Sequence, residues 1–251
     1  MVRLLLLLLL LFLSPFNSEA VNYCTDADVK GCWTFDETSG NLIDQSSNGN
    51  DLTVGVSVTQ NQSGQFGTSY NFDGTNGNNG CAYKDGTSSF QQNRTFSIIA
   101  YVKVASAISG GIISRGANAT YYRLNLGKGN LVDSQTENIL AGNTAVTNNI
   151  WQNTAMTIDG SGNIIIYLNG TSDNTGSTAS NLNNGNNQAW FDIGQDSSSG
   201  TSCGGGGFVG NLDEIAYFAK VLSSTEINDI LTNGLISVTA TGTIPDQAVL
   251  F

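Results

Sequence analysis

The chain has 251 residues, a net charge of −11 and no histidine. An acidic chain without a cluster of lysine and arginine cannot neutralise a phosphate backbone, so a nucleic-acid partner is not expected. The lack of histidine also excludes serine–histidine and cysteine–histidine catalysis. Hydrophobic residues make up 39% of the chain, which is enough for a folded core, and the abundant Asn, Ser, Thr and Gly favour turns.

Residues 1–20 have the composition of a signal peptide. Arg3 supplies a positive start, residues 4–13 are apolar, and the Ser18–Ala20 segment provides the small residues of a cleavage site. The apolar run is too short to span a bilayer comfortably, although an uncleaved signal anchor is the alternative interpretation. Later segments are not apolar enough for a membrane span. We therefore expect a mature chain that begins near Val21 and is secreted or displayed at the cell surface.

Apolar and polar residues alternate with a period of two in many short segments, which is typical of half-buried strands. A capping box of Ser223 and Glu226 then predicts one helix over Ser224–Asn233 that stops at Gly234. The whole series predicts an all-β, antiparallel two-sheet sandwich with one short C-terminal helix. The predicted strands are residues 32–36, 52–58, 70–73, 81–84, 96–104, 111–115, 121–126, 130–134, 151–159, 163–169, 190–193 and 208–218.

The segments between and after these strands complete the predicted organisation. Residues 174–188 and 197–207 are rich in Asn, Ser and Gly, and we expect them to form loops. A single domain is expected over residues 21–235. A tail follows over residues 236–251, and its apolar end favours either folding back or adding a strand to a second copy.

Four cysteines in an exported chain predict two disulfides. Three connectivities are possible, and we favour Cys24 with Cys32 and Cys81 with Cys203. A metal site built from these cysteines is not expected, because there is no C-x-x-C spacing and no histidine.

Several motifs, in this order, resemble the laminin-G-like (concanavalin-A-like) jelly-roll family. They are the first strand and its loop, a central strand, a hairpin, and a last strand followed by the capped helix; these are residues 33–51, 96–103, 158–170 and 210–227. The chain departs from many relatives at Trp151-Gln152-Asn153, where they carry Trp-His-His. The resemblance implies a jelly-roll sandwich, in a family whose members mostly bind ligands.

The resemblance leaves three functions to compare. We predict a secreted, non-catalytic module that binds a glycan or an extracellular protein through rim loops. A structural subunit of a surface layer or appendage is the alternative. A glycoside hydrolase is not favoured, because the acidic strand motif of the enzymatic relatives is absent. The adjacent Asp213 and Glu214 are expected to point to opposite faces of their strand, so they could not act as a pair on one bond.

An oxygen-rich loop favours calcium, which takes carboxylate, amide and carbonyl oxygens. Asp44, Asn48 and Asp51 lie in this loop, and Asp213 is expected to complete the site because the first and last strands of the fold are neighbours. The alternative interpretation is that these side chains only make local turns.

Three aromatic residues are candidates for stacking on a sugar ring. Trp190 follows the Asn-rich loop, and Tyr121 and Tyr122 begin a strand in which one of the two must face outward. The alternative interpretation for each is core packing.

Four N-x-S/T sequons make the chain a candidate glycoprotein if the host glycosylates. We expect the one at a hairpin corner, Asn169, to be the most accessible; the others begin at Asn61, Asn93 and Asn118.

Overall fold

The computed structural model describes residues 20–86, 90, 95–105, 110–115, 120–125, 128–133, 139–179, 190–196 and 203–237. Nearly all of the predicted signal peptide, the sequons at Asn93 and Asn118, and the tail from residue 238 onward lie outside the described residues.

The described residues form strands that run antiparallel to their neighbours and one α-helix, as the sequence predicts. The helix, α1, covers Ser224–Asn233. The strands are β1 (Val29–Trp33), β2 (Thr53–Val54), β3 (Thr59–Ser63), β4 (Thr68–Asp73), β5 (Ala82–Lys84), β6 (Phe96–Val104), β7 (Gly110–Arg115), β8 (Thr120–Asn125), β9 (Lys128–Asp133), β10 (Leu140–Ala141), β11 (Gln152–Ile158), β12 (Asn163–Leu168), β13 (Thr171–Ser177), β14 (Phe191–Ile193) and β15 (Val209–Phe218).

The strands make two sheets that pack face to face. The larger sheet has the order β13-β12-β11-β6-β15-β4-β3, with β1 added beside β15. The smaller sheet has the order β10-β9-β8-β7-β14-β5-β2. This arrangement confirms the predicted two-sheet sandwich.

Alternating residues of both sheets fill the core between them. In β6, Ile98, Ala100 and Val102 point inward, and they meet Tyr122 of β8 and Phe191 of β14 from the smaller sheet in one buried cluster. Burying such side chains stabilises the fold by about 25 cal/mol for each Å² of apolar surface removed from water. The opposite face of each sheet, pointing away from this core, is called its outer face below.

Helix α1 covers the outer face of the larger sheet. Ile227 and Ile230 of α1 are buried with Ile99 and Phe218 in a second apolar cluster. The predicted capping box is present, because the Ser223 side chain accepts the Glu226 backbone N–H while Glu226 accepts that of Ser223. Among the described residues, no helix is long and apolar enough to cross a membrane.

Two disulfides tie loops to the sandwich. One joins Cys24 to Cys32 and the other joins Cys81 to Cys203. This is the pairing that the sequence analysis favours. Disulfides of this kind are typical of proteins that fold in an oxidising compartment.

The predicted strand map is wrong at the ends of the sheets. The sequence analysis does not predict strands β3 and β13, which lie at the two ends of the larger sheet. Their sequences, Thr59–Ser63 and Thr171–Ser177, are polar because they bury little surface. The predicted strand over residues 52–58 is reduced to Thr53–Val54.

Candidate functional site

The predicted calcium loop is organised around the Asp44 carboxylate. Its Oδ1 accepts the backbone N–H groups of Cys32 and Ser46, each at 2.9 Å. Its Oδ2 accepts the backbone N–H of Asn50 and the Ser46 hydroxyl, each at 2.8 Å. Asp51 accepts the Asp44 backbone N–H at 2.9 Å. The carboxylate thus holds the loop together through the local turns that were the alternative to calcium.

The structure brings three of the four predicted calcium ligands into this loop and gives the fourth other partners. The Asn48 amide donates to the Val29 carbonyl at 2.8 Å. Asp213 instead accepts the backbone N–H groups of Gln65 and Phe66 at 2.8 and 3.1 Å. In the part of the chain that the structure describes, no group of three or more His, Cys, Asp or Glu side chains is arranged to hold a metal ion. Calcium binding stays a prediction.

The expectation that Asp213 and Glu214 face opposite sides of the strand is wrong. The register of β15 against β6 shifts after Asp213, and Glu214 has a left-handed φ of 48°. This β-bulge turns Glu214 to the outer face, where it accepts the Leu235 backbone N–H beyond α1. Asp213 lies opposite Tyr101 on the same face.

Both carboxyls of this bulge are buried. Desolvation raises the pKa of Asp213 to about 8 and that of Glu214 to about 7. Asp213 is 0% exposed and Glu214 is 4% exposed, and one Asp213 oxygen has no hydrogen-bond partner. Because the pair is closed off from solvent, it offers no cleft for a glycosidic bond.

Of the three predicted aromatic candidates, the structure describes the side chains of Tyr122 and Trp190. Tyr122 is fully buried in the core and its hydroxyl contacts the Thr154 hydroxyl, so it is not a surface contact. The side chain of Tyr121 lies outside the part of the chain that the structure describes, so its place in a ligand site stays a prediction. Trp190 directly precedes β14 and is half-buried.

A row of residues crosses the outer face of the smaller sheet. Phe191 and Ile193 of β14 enter the core, so Asp192 between them faces outward. Asp192 pairs with Tyr83 of β5 on one side and with Ser114 of β7 on the other, and Ser114 pairs with Tyr121 of β8. The three described side chains, Tyr83, Asp192 and Ser114, are called the polar row below; Asp192 and Ser114 are buried and Tyr83 is partly exposed. Trp190, two residues before Asp192, lies at the end of this face.

The centre of the polar row is a buried carboxyl. Asp192 accepts the Cys203 backbone N–H at 2.9 Å, and its other oxygen has no hydrogen-bond partner among the described residues. Burial raises the pKa of Asp192 to about 7, the Cys203 N–H opposes this shift, and the nearby Asp85 carboxylate adds to it. The Cys81–Cys203 disulfide therefore holds Cys203, whose N–H Asp192 accepts, next to the start of β5.

A second polar group lies beside the row. Arg123, two residues after Tyr121, pairs with Asn130 across β8 and β9. Its guanidinium lies 3.8 Å from the Asp196 carboxylate, and its side chain is 18% exposed. The outer face of the smaller sheet therefore combines hydrogen-bonding groups with aromatic residues, as ligand sites commonly do.

Sequence reasoning missed Asp192, Tyr83 and Arg123. The signal was present in Trp190-Phe191-Asp192-Ile193, where a carboxyl alternates with large apolar residues. Alternation alone shows that Asp192 leaves the core, but it does not reveal which strands lie beside it.

Comparison with known proteins identifies the family. Residues 73–228, more than half of the chain, match the family Laminin_G_3, described as the concanavalin A-like lectin/glucanases superfamily. The chain belongs to this family. None of the curated protein sequences matches it.

Solved structures with the same fold as this chain include several binding domains. Domain 4 of the Geobacillus stearothermophilus arabinanase AbnA, in complex with arabinotriose, is 17% identical with a TM-score of 0.64, and the match covers 81% of this chain and 98% of that one. The binding domain of botulinum neurotoxin DC, in complex with rat synaptotagmin II, is 16% identical with a TM-score of 0.62, and the match covers 82% and 51%.

A third relative is an enzyme chain. Trypanosoma rangeli sialidase, in complex with sialic acid, is 13% identical with a TM-score of 0.60, and the match covers 83% of this chain and 33% of that one. At these identities the likeness shows the shared fold. The chain spans nearly all of the arabinanase domain, about half of the neurotoxin domain and a third of the sialidase.

Proposed function

We propose that this protein is a secreted, non-catalytic module that binds a glycan on the outer face of its smaller sheet. The observation that carries the proposal is the set of partly exposed side chains on this face, Tyr83, Arg123 and Trp190, around the buried Asp192. The arabinanase domain with bound arabinotriose has the same fold, which makes a saccharide a reasonable ligand class. The two disulfides and the signal-like start support an extracellular site of action.

The chemistry of the face suits a sugar. Aromatic rings stack on the apolar faces of sugar rings, while carboxylate, hydroxyl and guanidinium groups bind sugar hydroxyls. The face carries two carboxyl groups, those of Asp192 and Asp196, and one described arginine beside the row, Arg123. The whole chain has a net charge of −11. A neutral glycan therefore fits better than a polyanionic one.

The buried state of the acid pair supports a role without catalysis. A hydrolase needs two carboxyls on either side of the scissile bond. Asp213 and Glu214 lie under the turn at Gln65 and beside the end of α1, where a substrate has no entry. To distinguish binding from hydrolysis, the protein is incubated with a glycan that it binds and the reducing ends are measured. Their number should not increase.

The test is binding to a glycan array that includes neutral arabino-oligosaccharides and sialylated glycans, followed by calorimetry. Trp190→Ala should weaken binding at least tenfold, because a buried aromatic contact in a binding site is worth more than about 1.4 kcal/mol. Trp151→Ala is the matched control, since Trp151 is also half-buried but precedes β11 of the larger sheet. It should leave the affinity unchanged.

Two results would overturn this proposal. The first is the absence of any glycan ligand on the array while a soluble receptor protein binds. The second is equal loss of affinity in both tryptophan variants, which would indicate general destabilisation and no contact at Trp190.

A further inference from the structure

Asn61 lies in an unusual part of an end strand. Strand β3 pairs with β4 on one side only, and its register shifts between Thr59 and Gln62. Asn61, within the shift, has a left-handed φ of 56°. Asparagine tolerates this conformation better than most residues. The bulge takes Asn61 out of the hydrogen-bonding ladder at an exposed edge.

The side chain of Asn61 is free to react. Asn61 and Ser63 are both exposed, and together with Gln62 they form an N-x-S sequon. Among the described residues, the Asn61 amide has no hydrogen-bond partner. The acceptor nitrogen of the sequon therefore lies at the surface without a competing contact.

The sequon at Asn169 differs, although the sequence favours it as the most accessible. The Asn169 side-chain oxygen accepts the Asn153 backbone N–H at 3.0 Å. The following Gly170 packs against α1, because a Cβ there would lie 2.3 Å from the Asn228 side-chain oxygen and 3.0 Å from a Leu231 methyl. Asn169 is itself exposed, but a glycan on it would leave from a corner where its oxygen is already bonded and the next residue packs against the helix.

We propose that Asn61 is an N-glycosylation site of this protein, and that it is favoured over Asn169. The donor is a lipid-linked oligosaccharide diphosphate. The Asn61 amide nitrogen attacks C1 of the first sugar, the bond from C1 to the diphosphate oxygen breaks, and the nitrogen loses one proton. The lipid diphosphate is the leaving group.

The modification has a structural consequence for the larger sheet. An unpaired edge strand presents free backbone donors and acceptors to other chains. A bulky, hydrated glycan on Asn61 would stand at this edge and block the approach of a second strand. It would do so on the larger sheet, away from the polar row of the smaller sheet.

The experiment expresses the full chain in a eukaryotic secretory host, beside a control glycoprotein. Ser63→Ala removes the sequon at an exposed position, whereas Ser63→Thr retains it and is the matched control. Asn61 itself is left in place because another residue would be strained at its positive φ. Thr171→Ala removes the Asn169 sequon. Glycosidase-dependent gel mobility and peptide mass spectrometry measure the occupancy of each site.

The expected result is occupancy of Asn61 in the wild type and in Ser63→Thr, and loss of one glycan in Ser63→Ala. Thr171→Ala should change the mobility less than Ser63→Ala. The proposal is overturned if Asn61 is unmodified in secreted protein while the control glycoprotein is glycosylated. It is also overturned if Asn169 is occupied to a greater extent than Asn61.

Discussion

At the scale of single residues, buried carboxyls dominate the chemistry of the described chain. Asp192, Asp213 and Glu214 all have a raised pKa because they are removed from water. They lie in two places, Asp192 in the polar row and the other two at the bulge of β15. Each is held by backbone N–H groups, and none of them contacts a lysine or arginine among the hydrogen bonds and ion pairs described.

These carboxyls predict a pH dependence of stability. A group with a raised pKa in the folded state stabilises the fold fully below its unfolded pKa, near pH 4, and this contribution is lost as the pH rises through the folded values of about 7 to 8. The free energy of unfolding should therefore fall between pH 5 and pH 8, as measured by urea denaturation at each pH.

The Asp213→Asn variant tests how much of this pH dependence comes from Asp213. The neutral amide keeps an acceptor for the Gln65 and Phe66 N–H groups but does not titrate, so the fall should be smaller by up to about 1.4 kcal/mol per pH unit. Asp159→Asn is the control, because hydrogen bonds from Asn163 lower the pKa of Asp159 and it titrates below this range. An identical pH slope in wild type and Asp213→Asn would contradict the assignment.

Calcium is tested at the same scale. We propose that a calcium site on this chain is built on the Asp44–Asp51 loop without Asp213, because the contacts of Asp213 lie with Gln65 and Phe66. Millimolar calcium should raise the melting temperature of the wild type and of Asp213→Asn, but not that of Asp51→Asn. If calcium fails to raise the melting temperature of Asp213→Asn alone, Asp213 is a calcium ligand and the site of four residues predicted from the sequence is correct. Equal melting in calcium and in EDTA would reject the site.

At the scale of elements, sequence patterns predict the buried strands and the capped helix well. Strand β6 and helix α1 have the predicted bounds, because each combines a clear apolar period with a defined end. Strands β3 and β13 escape this reasoning because these end strands contain only polar residues and glycine, so they have no apolar face to alternate. The bulge at Glu214 escapes it because the sequence carries no glycine at that position.

The candidate site is harder to predict than the strands. Alternation identifies which face Asp192 occupies, but its neighbours Tyr83 and Ser114 come from strands far away in the chain. Such non-local pairing is a property of sheet topology and not of local sequence. The burial of Tyr122 could not be predicted either, because a register shift of one residue would turn it to the other face of the sheet.

The Cys81–Cys203 link is an element-scale prediction. It joins Cys81, which directly precedes β5, to Cys203, whose backbone N–H Asp192 accepts. It encloses a separation of 122 residues, against 8 residues for Cys24–Cys32. In the chain-entropy model these loops are worth about 5 and about 2.5 kcal/mol. The Cys81→Ser/Cys203→Ser variant should therefore lose more stability in denaturant than Cys24→Ser/Cys32→Ser. Equal losses would show that loop closure does not explain the stabilisation.

At the scale of the whole molecule, the outer faces of the two sheets differ in what covers them. The outer face of the larger sheet is covered by α1, whose Ile227 and Ile230 pack in the second apolar cluster. On or beside the outer face of the smaller sheet, the described residues Tyr83, Arg123 and Trp190 are partly exposed. This asymmetry is the reason that the proposed glycan site is placed on the smaller sheet.

The most direct test of this account is an NMR titration of isotope-labelled protein with its best array glycan. The account predicts that shift changes cluster at Tyr83, Ser114, Arg123 and Trp190, all on or beside the outer face of the smaller sheet. Changes that cluster instead on α1 and the larger sheet, or the absence of changes at saturating glycan, would contradict it.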